Sequence, residues 1–377
     1  MKLLMISGDR SILEGRQGAF WYTLQELRKY WDRIDIICPR PDVREVQLFD
    51  GVHNHCARDG DGGEVFFHPS PKGLFFQKWW IVTKGKELIA AQKHDVMTVH
   101  VYPPFYNSRG ARSLARKTGI PYVMEVHHIV GFPRASSPAE LIGRLLSRMY
   151  LPFAARRADG IRAVSSVTAE TLSRWHIPAK KIHVVPSFYL DGNVLNPDAR
   201  PPIAYDVSFS GRLVPNKGLQ DVVRAIAQIP SARLLVIGDG PERIVCEKIA
   251  EDLQISNRVT FLGWLPTQEA VVGAVLTARM FVMNSRSEGG PRNALEAMGC
   301  GMPVIVTRVG VMPDVIQDGR NGIFTSGESD DLVHKIGMLM RDEERCAEIG
   351  KEARKILDRF ERKKLVKEYA EFLQSFA

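Results

Sequence analysis

Two glutamates eight positions apart, Glu288 and Glu296, frame the stretch SEGGPRNALEAMGCGMPVIV from Ser287 to Val306. An ionised glutamate only accepts hydrogen bonds and can take both hydrogens of a vicinal diol. Between the two, Gly289 and Gly290 open the backbone to close approach, and Pro291 suits the first position of a helix. Gly299 and Gly301 can end that helix after about two turns. A helix start offers unpaired N–H groups and partial positive charge, which stabilise a phosphate. One carboxylate on each side of an anion site suits a phosphate flanked by polyols, and a nucleotide sugar is such a ligand. A second group carries the opposite charge. DVSFSGRLVPNKGLQDVVRAI reads as a strand, Gly211, Arg212, a loop, Lys217, Gly218 and a helix beginning near Asp221. Two cations beside a strand-end glycine can clamp a diphosphate as a metal ion otherwise would.

These residues need a scaffold that gathers strand ends. ARMFVMN (Ala278 to Asn284) and Pro303 to Thr307 are short apolar runs that read as buried strands on either side of the short helix. RLLVIGDGPE ends a strand in Gly238 and Gly240, and NRVTFLGWLP ends another in Gly263, so the second half is a parallel α/β domain with its glycines where a ligand lies. In the first half, KLLMIS, a helical run from Ala19 to Tyr30 and IDIIC make a βαβ opening. Gly18 stands where the loop meets that helix, with its N–H available to a phosphate. VMTVHVYPP and PYVMEVHHIVG then read as buried parallel strands ending in His100 and in His127-His128. ADGIRAVS and KIHVVPS add two more, which makes this half a doubly wound α/β domain. Residues 50 to 73, rich in Gly, Asp, His and Pro, read as an exposed excursion, and Ser187 to Asp206 as a hinge.

At 377 residues the chain suits two domains of roughly 180 residues each. The expected division is 1–186 and 187–359, with a last helix at about 360–377 that can pack back on the first domain. Apolar content of 45% with 25% charged residues is ordinary for a globular protein. No run of about 18 apolar residues appears, and MKLLMISGDR lacks a signal-peptide layout, so the expectation is a cytoplasmic protein. Five scattered cysteines with no CxxC pair argue for reduced thiols and against structural zinc. His53, His55 and Cys56 lack a second ligand pair at zinc-like spacing, and Asp59-Gly-Asp61 follows no apolar strand, so both read as polar loop.

The net charge of +8 is unevenly placed: residues 1 to 186 hold 27 Lys and Arg against 17 Asp and Glu, and 187 to 377 hold 24 against 26. A basic half can face nucleic acid, an anionic membrane or an acidic substrate, and no nucleic-acid motif is present. LFFQKWWIVTKGKELI (Leu74 to Ile89) mixes Phe75, Phe76, Trp79 and Trp80 with lysines, a blend suited to a membrane interface or to a core. In AELIGRLLSRMYLPFAARRA, Leu141, Leu145 and Met149 share a helical face beside Arg144 and Arg148, with Arg156 and Arg157 following. An anionic membrane surface, on its inner face, is therefore an expected partner, and nucleic acid is not.

With GRLVPNKG, VIGDGPE, VTFLGW and EGGPRNALEAMGCGMPVI in this order, the chain resembles the retaining glycosyltransferases of the family 4 group (group 1). The resemblance is most specific over residues 206 to 331, where Glu288 and Glu296 match an E-x7-E motif. It implies a GT-B fold, two Rossmann-like domains facing across a deep cleft. By position it implies that Arg212 and Lys217 hold the donor diphosphate, Glu296 the ribose, and Glu288 with Gly289, Gly290 and Asn293 the donor sugar. Gly18 would back the phosphate, and His127 would face the transferred sugar. Gly211, Gly240, Leu262, Ala294 and Leu295 complete the implied donor site. Gln17 in place of a glycine, Gly290-Pro291-Arg292 in place of a Phe-Gly pattern and Ser187 in place of Asn-Gly leave the donor sugar open, with a UDP-sugar favoured over a GDP-sugar.

The expected reaction is transfer from a nucleoside diphosphate sugar to a hydroxyl of a glycan or lipid-linked acceptor. Configuration is retained, and neither cofactor nor metal is needed. A glycosidase-like carboxylate nucleophile is not assigned, because Glu288 contacts sugar hydroxyls in this reading and no paired acid is evident. The rivals are a nucleotide-sugar epimerase or phosphorylase on the same fold, and a non-catalytic protein that docks a glycan or membrane.

Overall fold

The computed structural model describes residues 1–14, 19–41, 62–195 and 200–377. Gln17, Gly18, the His53, His55 and Cys56 group and the Asp59, Asp61 pair lie outside the described residues. The chain divides into two units. One comprises Met1–Ile129, Gly143–Ser187 and Arg362–Ala377, and the other Val130–Ile142 and Phe188–Glu361. Val130–Ile142, expected in the first domain, belongs with the second because its backbone is tied there. Pro133 forms an antiparallel bridge to Ser287, and the N–H of Arg134 donates to the Arg286 carbonyl at 3.3 Å.

The first unit holds a seven-stranded parallel sheet, β1 (Lys2–Ile6), β2 (Arg33–Cys38), β3 (Glu64–Pro69), β4 (Val96–His100), β5 (Tyr122–Val126), β6 (Gly160–Ala163) and β7 (Ile182–Val184), in the order β3-β2-β1-β4-β5-β6-β7. Its helices are α1 (Ala19–Leu27), α2 (Gln77–Gln92), α3 (Tyr106–Thr118), α4 (Pro138–Ala155, which begins in the second unit) and α5 (Ser166–Arg174). Parallel strands covered on both faces demand near-continuous apolar runs. Leu3, Leu4, Met5 and Ile6 of β1 are accordingly all buried. The excursion expected at 50–73 contains β3, an edge strand in register with β2 whose Val65 and Phe66 are buried. Its three-residue apolar run, Val65 to Phe67, is too short to stand out from the polar segment around it.

The second unit repeats the architecture with six parallel strands, β8 (Tyr205–Ser210), β9 (Leu234–Ile237), β10 (Val259–Gly263), β11 (Ala278–Met283), β12 (Val304–Thr307) and β13 (Ile323–Thr325), ordered β10-β9-β8-β11-β12-β13. Between and after them run α6 (Leu219–Gln228), α7 (Glu242–Asp252), α8 (Gln268–Val275), α9 (Arg292–Gly299), α10 (Met312–Val315), α11 (Ser329–Met340), α12 (Glu343–Arg354) and α13 (Ile356–Arg359). The final helix, α14 (Arg362–Gln374), joins the first unit. Val222, Val223 and Ile226 of α6 pack with Val207, Phe209, Leu234 and Val236 in a fully buried core. In each sheet the strand order reverses direction once, between β1 and β4 and between β8 and β11. Such a switch point leaves a crevice at the carboxyl ends of its two strands, where ligands bind in open α/β sheets. No helix among the described residues is long and apolar enough to cross a membrane.

Candidate active site

At the switch point of the second sheet, the loop after β8 meets the loop after β11. Gly211, with φ of +146°, turns the chain out of β8, and Gly218, with φ of +64°, starts α6. A Cβ on Gly218 would lie 2.4 Å from the Asn284 carbonyl oxygen, so only glycine lets the two loops close on one another. Asn284 Nδ2 donates to the Gly218 carbonyl at 3.0 Å, Asn216 Nδ2 to that of Ser287 at 2.8 Å, and the Arg286 N–H to that of Asn216 at 2.8 Å.

This lacing brings the charges together. Lys217 Nζ donates directly to Glu288 Oε1, which also accepts from Ser285 Oγ at 2.9 Å. Gly211 lies in the same corner: a Cβ there would be 3.6 Å from Asn293 Nδ2 and 3.9 Å from Lys217 Cε. Asn293 Nδ2 in turn donates to the Ser210 carbonyl. Arg212 is exposed and makes no ion pair among the described residues. The site thus offers one unpaired guanidinium, one lysine held by a carboxylate, and the start of a helix. Pro291 is the N-cap residue of that helix and Arg292 its first helical position, one later than the sequence pattern indicates.

Glu296 stands one turn into α9 and is held otherwise. Its Oε1 accepts from Arg292 Nε at 2.8 Å and from Gln268 Nε2 of α8 at 2.7 Å. Ala294 and Leu295 are fully buried, and their N–H groups both donate to the Pro291 carbonyl, at 3.0 and 3.2 Å. Gly290 packs on Phe188, whose ring a Cβ would strike at 1.9 Å, and the Gly289 carbonyl oxygen lies 2.4 Å from the Cβ position of Gly310. Gly240 packs against the Leu213 carbonyl, while Leu262 is exposed near the end of β10.

The first sheet carries a polar row across its own switch point. Register pairs His100 with Glu125 and Glu125 with Arg162, and Ser7 follows β1 beside them. Ser7 Oγ is 3.2 Å from His100 Nδ1. Glu125 is buried and accepts from Thr98 Oγ1 at 2.5 Å, Tyr369 of α14 at 2.6 Å, Arg162 Nη1 at 2.7 Å and His127 Nε2 at 3.1 Å. Burial works to raise the Glu125 pKa, but the Arg162 charge and the hydrogen bond from His127 outweigh it and hold the carboxyl well below the usual range. An ionised carboxylate accepts only, so His127 Nε2 is the donor in this bond. Burial pushes the neighbouring His100 down to about 4, against the pull of Glu125. His100, Glu125 and His127 offer ligand atoms within 4.8 Å of one another. The four donors already on Glu125 make this a hydrogen-bonded network that aims His127.

Pattern reading singled out His100 and His127 and missed Glu125, Arg162, Thr98, Tyr369 and Gln268. Glu125 and Arg162 were legible only as charges inside otherwise apolar strands, where a charge demands a partner.

Together the two units form a two-domain α/β fold of GT-B type, with a cationic corner at the switch point of the second. Residues 199–356 match the family described as glycosyl transferases group 1, and residues 19–189 that described as glycosyltransferase family 4. The chain belongs to the group 1 GT-B glycosyltransferases. It is 36% identical over 158 residues to the N-acetyl-alpha-D-glucosaminyl L-malate synthase of Bacillus anthracis, covering 41% of each chain. It is 26% identical to the GDP-mannose-dependent alpha-(1-6)-phosphatidylinositol monomannoside mannosyltransferase of Mycolicibacterium smegmatis, over 77% of this chain and 78% of that one. The chain spans about half the length of the first curated relatives it matches. The crystal structure of Anabaena Alr3699/HepE with UDP-glucose shares the fold over 100% of both chains, with a TM-score of 0.74 at 22% identity.

Proposed function

We propose that the protein moves a sugar from a nucleoside diphosphate sugar to a hydroxyl of a glycan or lipid-linked acceptor, with retention of configuration and without a metal ion. The observation that carries this reading is the meeting of Lys217, Glu288, Gly211 and Asn293 beside exposed Arg212 at the switch point of the second sheet. As the glycosidic bond loosens, negative charge grows on the leaving diphosphate. Arg212 and Lys217 stabilise that charge, and fixed donors aimed at developing charge are the largest catalytic contribution a site of this kind makes. Glu288, adjoining Lys217, accepts hydroxyls of the donor sugar, and Glu296 accepts those of the ribose. His127, aimed by Glu125, faces the transferred sugar.

Support for a nucleotide sugar comes from the family and from the UDP-glucose bound by the Anabaena neighbour, and a UDP-sugar is favoured. Support for a lipid-linked acceptor comes from the phosphatidylinositol named in the mannosyltransferase relative. That acceptor implies a cytoplasmic protein peripheral on the inner face of a membrane.

A thermal-shift screen of UDP- and GDP-sugars tests donor binding, since a ligand at 100 times its dissociation constant stabilises by roughly 2.7 kcal/mol. The donor that shifts the transition is then incubated with glycan and lipid-linked acceptors in excess EDTA, and the product's anomeric configuration is read by NMR. Loss of transfer on chelation overturns the metal-free reading, and an altered donor sugar released without acceptor makes the protein an epimerase.

A further inference from the structure

Helix α4 is amphipathic in the wrong sense for a core helix. It buries the small residues Gly143, Ser147, Ala154 and Ala155 together with Leu151, and it exposes Leu145, Leu146, Met149 and Phe153, with Met149 at 77%. Large apolar side chains turned outward in a contiguous stripe mark an interaction surface. The start of α2 and the turn before it add to it: Phe75 in the turn is 78% exposed and Trp79 in the helix 65%, while neighbouring Trp80 is half-buried and donates its indole N–H to the His68 carbonyl at 3.2 Å. The aromatic segment is therefore split between core and solvent.

A cavity of about 890 Å³ lies among α2, α3 and α4. Its wall carries Lys78, Arg109, Arg112, Arg116 and Arg157 and, among the described residues, no carboxylate. None of these five makes an ion pair among the described residues. The Arg112 guanidinium lies 3.9 Å over the Phe153 ring, and its Nε is buried with no hydrogen-bond partner. A second cavity, about 640 Å³, on the other flank of α4 has Arg148, Arg156, Arg174 and Lys181 in its wall, again with no carboxylate.

We propose that this face of the first unit is a membrane-docking surface. The apolar stripe of α4 and the aromatics of α2 enter the bilayer interface, and the phosphate of an anionic lipid headgroup seats in the arginine cavity between α3 and α4. Charge selects the occupant. Unpaired guanidinium groups match phosphate geometry, and apolar side chains rimmed by Lys and Arg suit an interface with anionic headgroups. A second copy of the same face would set like charges against each other. The inference concerns binding alone. It deepens the reading of a lipid-linked acceptor but needs none of its chemistry.

Flotation of the full chain without nucleotide sugar tests it, using phosphatidylcholine vesicles with and without about a third phosphatidylglycerol. Binding is expected to the anionic vesicles only, weaker at high salt, and at least ~10-fold weaker in Arg112→Glu with Arg116→Glu. Phe75→Ser with Trp79→Ser removes the salt-resistant part. Lys248→Glu with Lys351→Glu, the same charge change on the second unit, binds as the unaltered chain does. Arg112→Gln with Arg116→Gln serves if charge reversal impairs folding, which circular dichroism reports. Three results overturn the proposal: no binding to anionic vesicles at low salt, equal loss in the Lys248 and Lys351 control, or capture by soluble inorganic pyrophosphate or heparin without vesicle binding. Any of them leaves the glycosyl-transfer reading standing, because no donor is present.

Discussion

Lys217 and Glu288, 71 positions apart in sequence, form an ion pair at the meeting of the loops that follow β8 and β11. The cation proposed for the diphosphate and the carboxylate proposed for the sugar are thus mutually held. Lys217→Ala and Glu288→Gln should each lower turnover by about two to three powers of ten, and the double variant by less than the product of the two. A double-mutant cycle on kcat/KM measures the coupling. Strict additivity would show that the residues act independently.

Exposed Arg212 pairs with no carboxylate among the described residues, so its loss removes charge without leaving an orphan partner there. Arg212→Ala should lower kcat by roughly two powers of ten and leave the melting temperature unchanged. A drop in stability equal to the drop in rate would make Arg212 a structural residue.

Glu296 already takes two donors on Oε1, from Arg292 and Gln268. Glu296→Gln replaces an acceptor with a partial donor and should weaken binding of the donor nucleotide about tenfold, as seen by calorimetry. Unchanged affinity would reduce Glu296 to a residue that ties α8 to α9.

Burial holds His100 at about 4, below its ordinary 6.5. Below pH 6.5 the unfolded chain takes up a proton that the folded protein refuses, so stability declines as pH falls from 6.5 toward 4 and is level above that window. Glu125, also depressed, contributes a further loss only once pH drops below the ordinary carboxylate range. His100→Gln should flatten the first decline while leaving the second, which melting curves across this range will show.

Arg162 is the cation that keeps Glu125 ionised inside the sheet. Arg162→Met strands a buried charge and should cost about 3–5 kcal/mol, whereas Tyr369→Phe removes one of four donors and should cost about 1–2 kcal/mol. Urea unfolding compares them, and equal costs would mean that the ion pair has no special weight.

Much of this was legible in one dimension. The parallel strands announced themselves because burial on both faces requires continuous apolar runs, and glycines at their ends marked the sheet edge where a ligand lies. Glu288, Glu296, Arg212 and Lys217 stood out because acceptor-only and donor-only side chains beside glycines suggest a phosphate with polyols. Only the tertiary structure could decide which charges meet. Strand register set Ser7, His100, Glu125 and Arg162 in one row, and α14 brought Tyr369 to Glu125 across 244 positions of sequence. Residues 130–142 went to the second unit through backbone bonds that no side-chain pattern encodes. The outward stripe of α4 was equally hidden, since periodicity shows that a helix has an apolar face but not whether that face turns in or out. That choice shows only in the burial of the folded chain, where α4 turns in Gly143, Ser147, Leu151, Ala154 and Ala155.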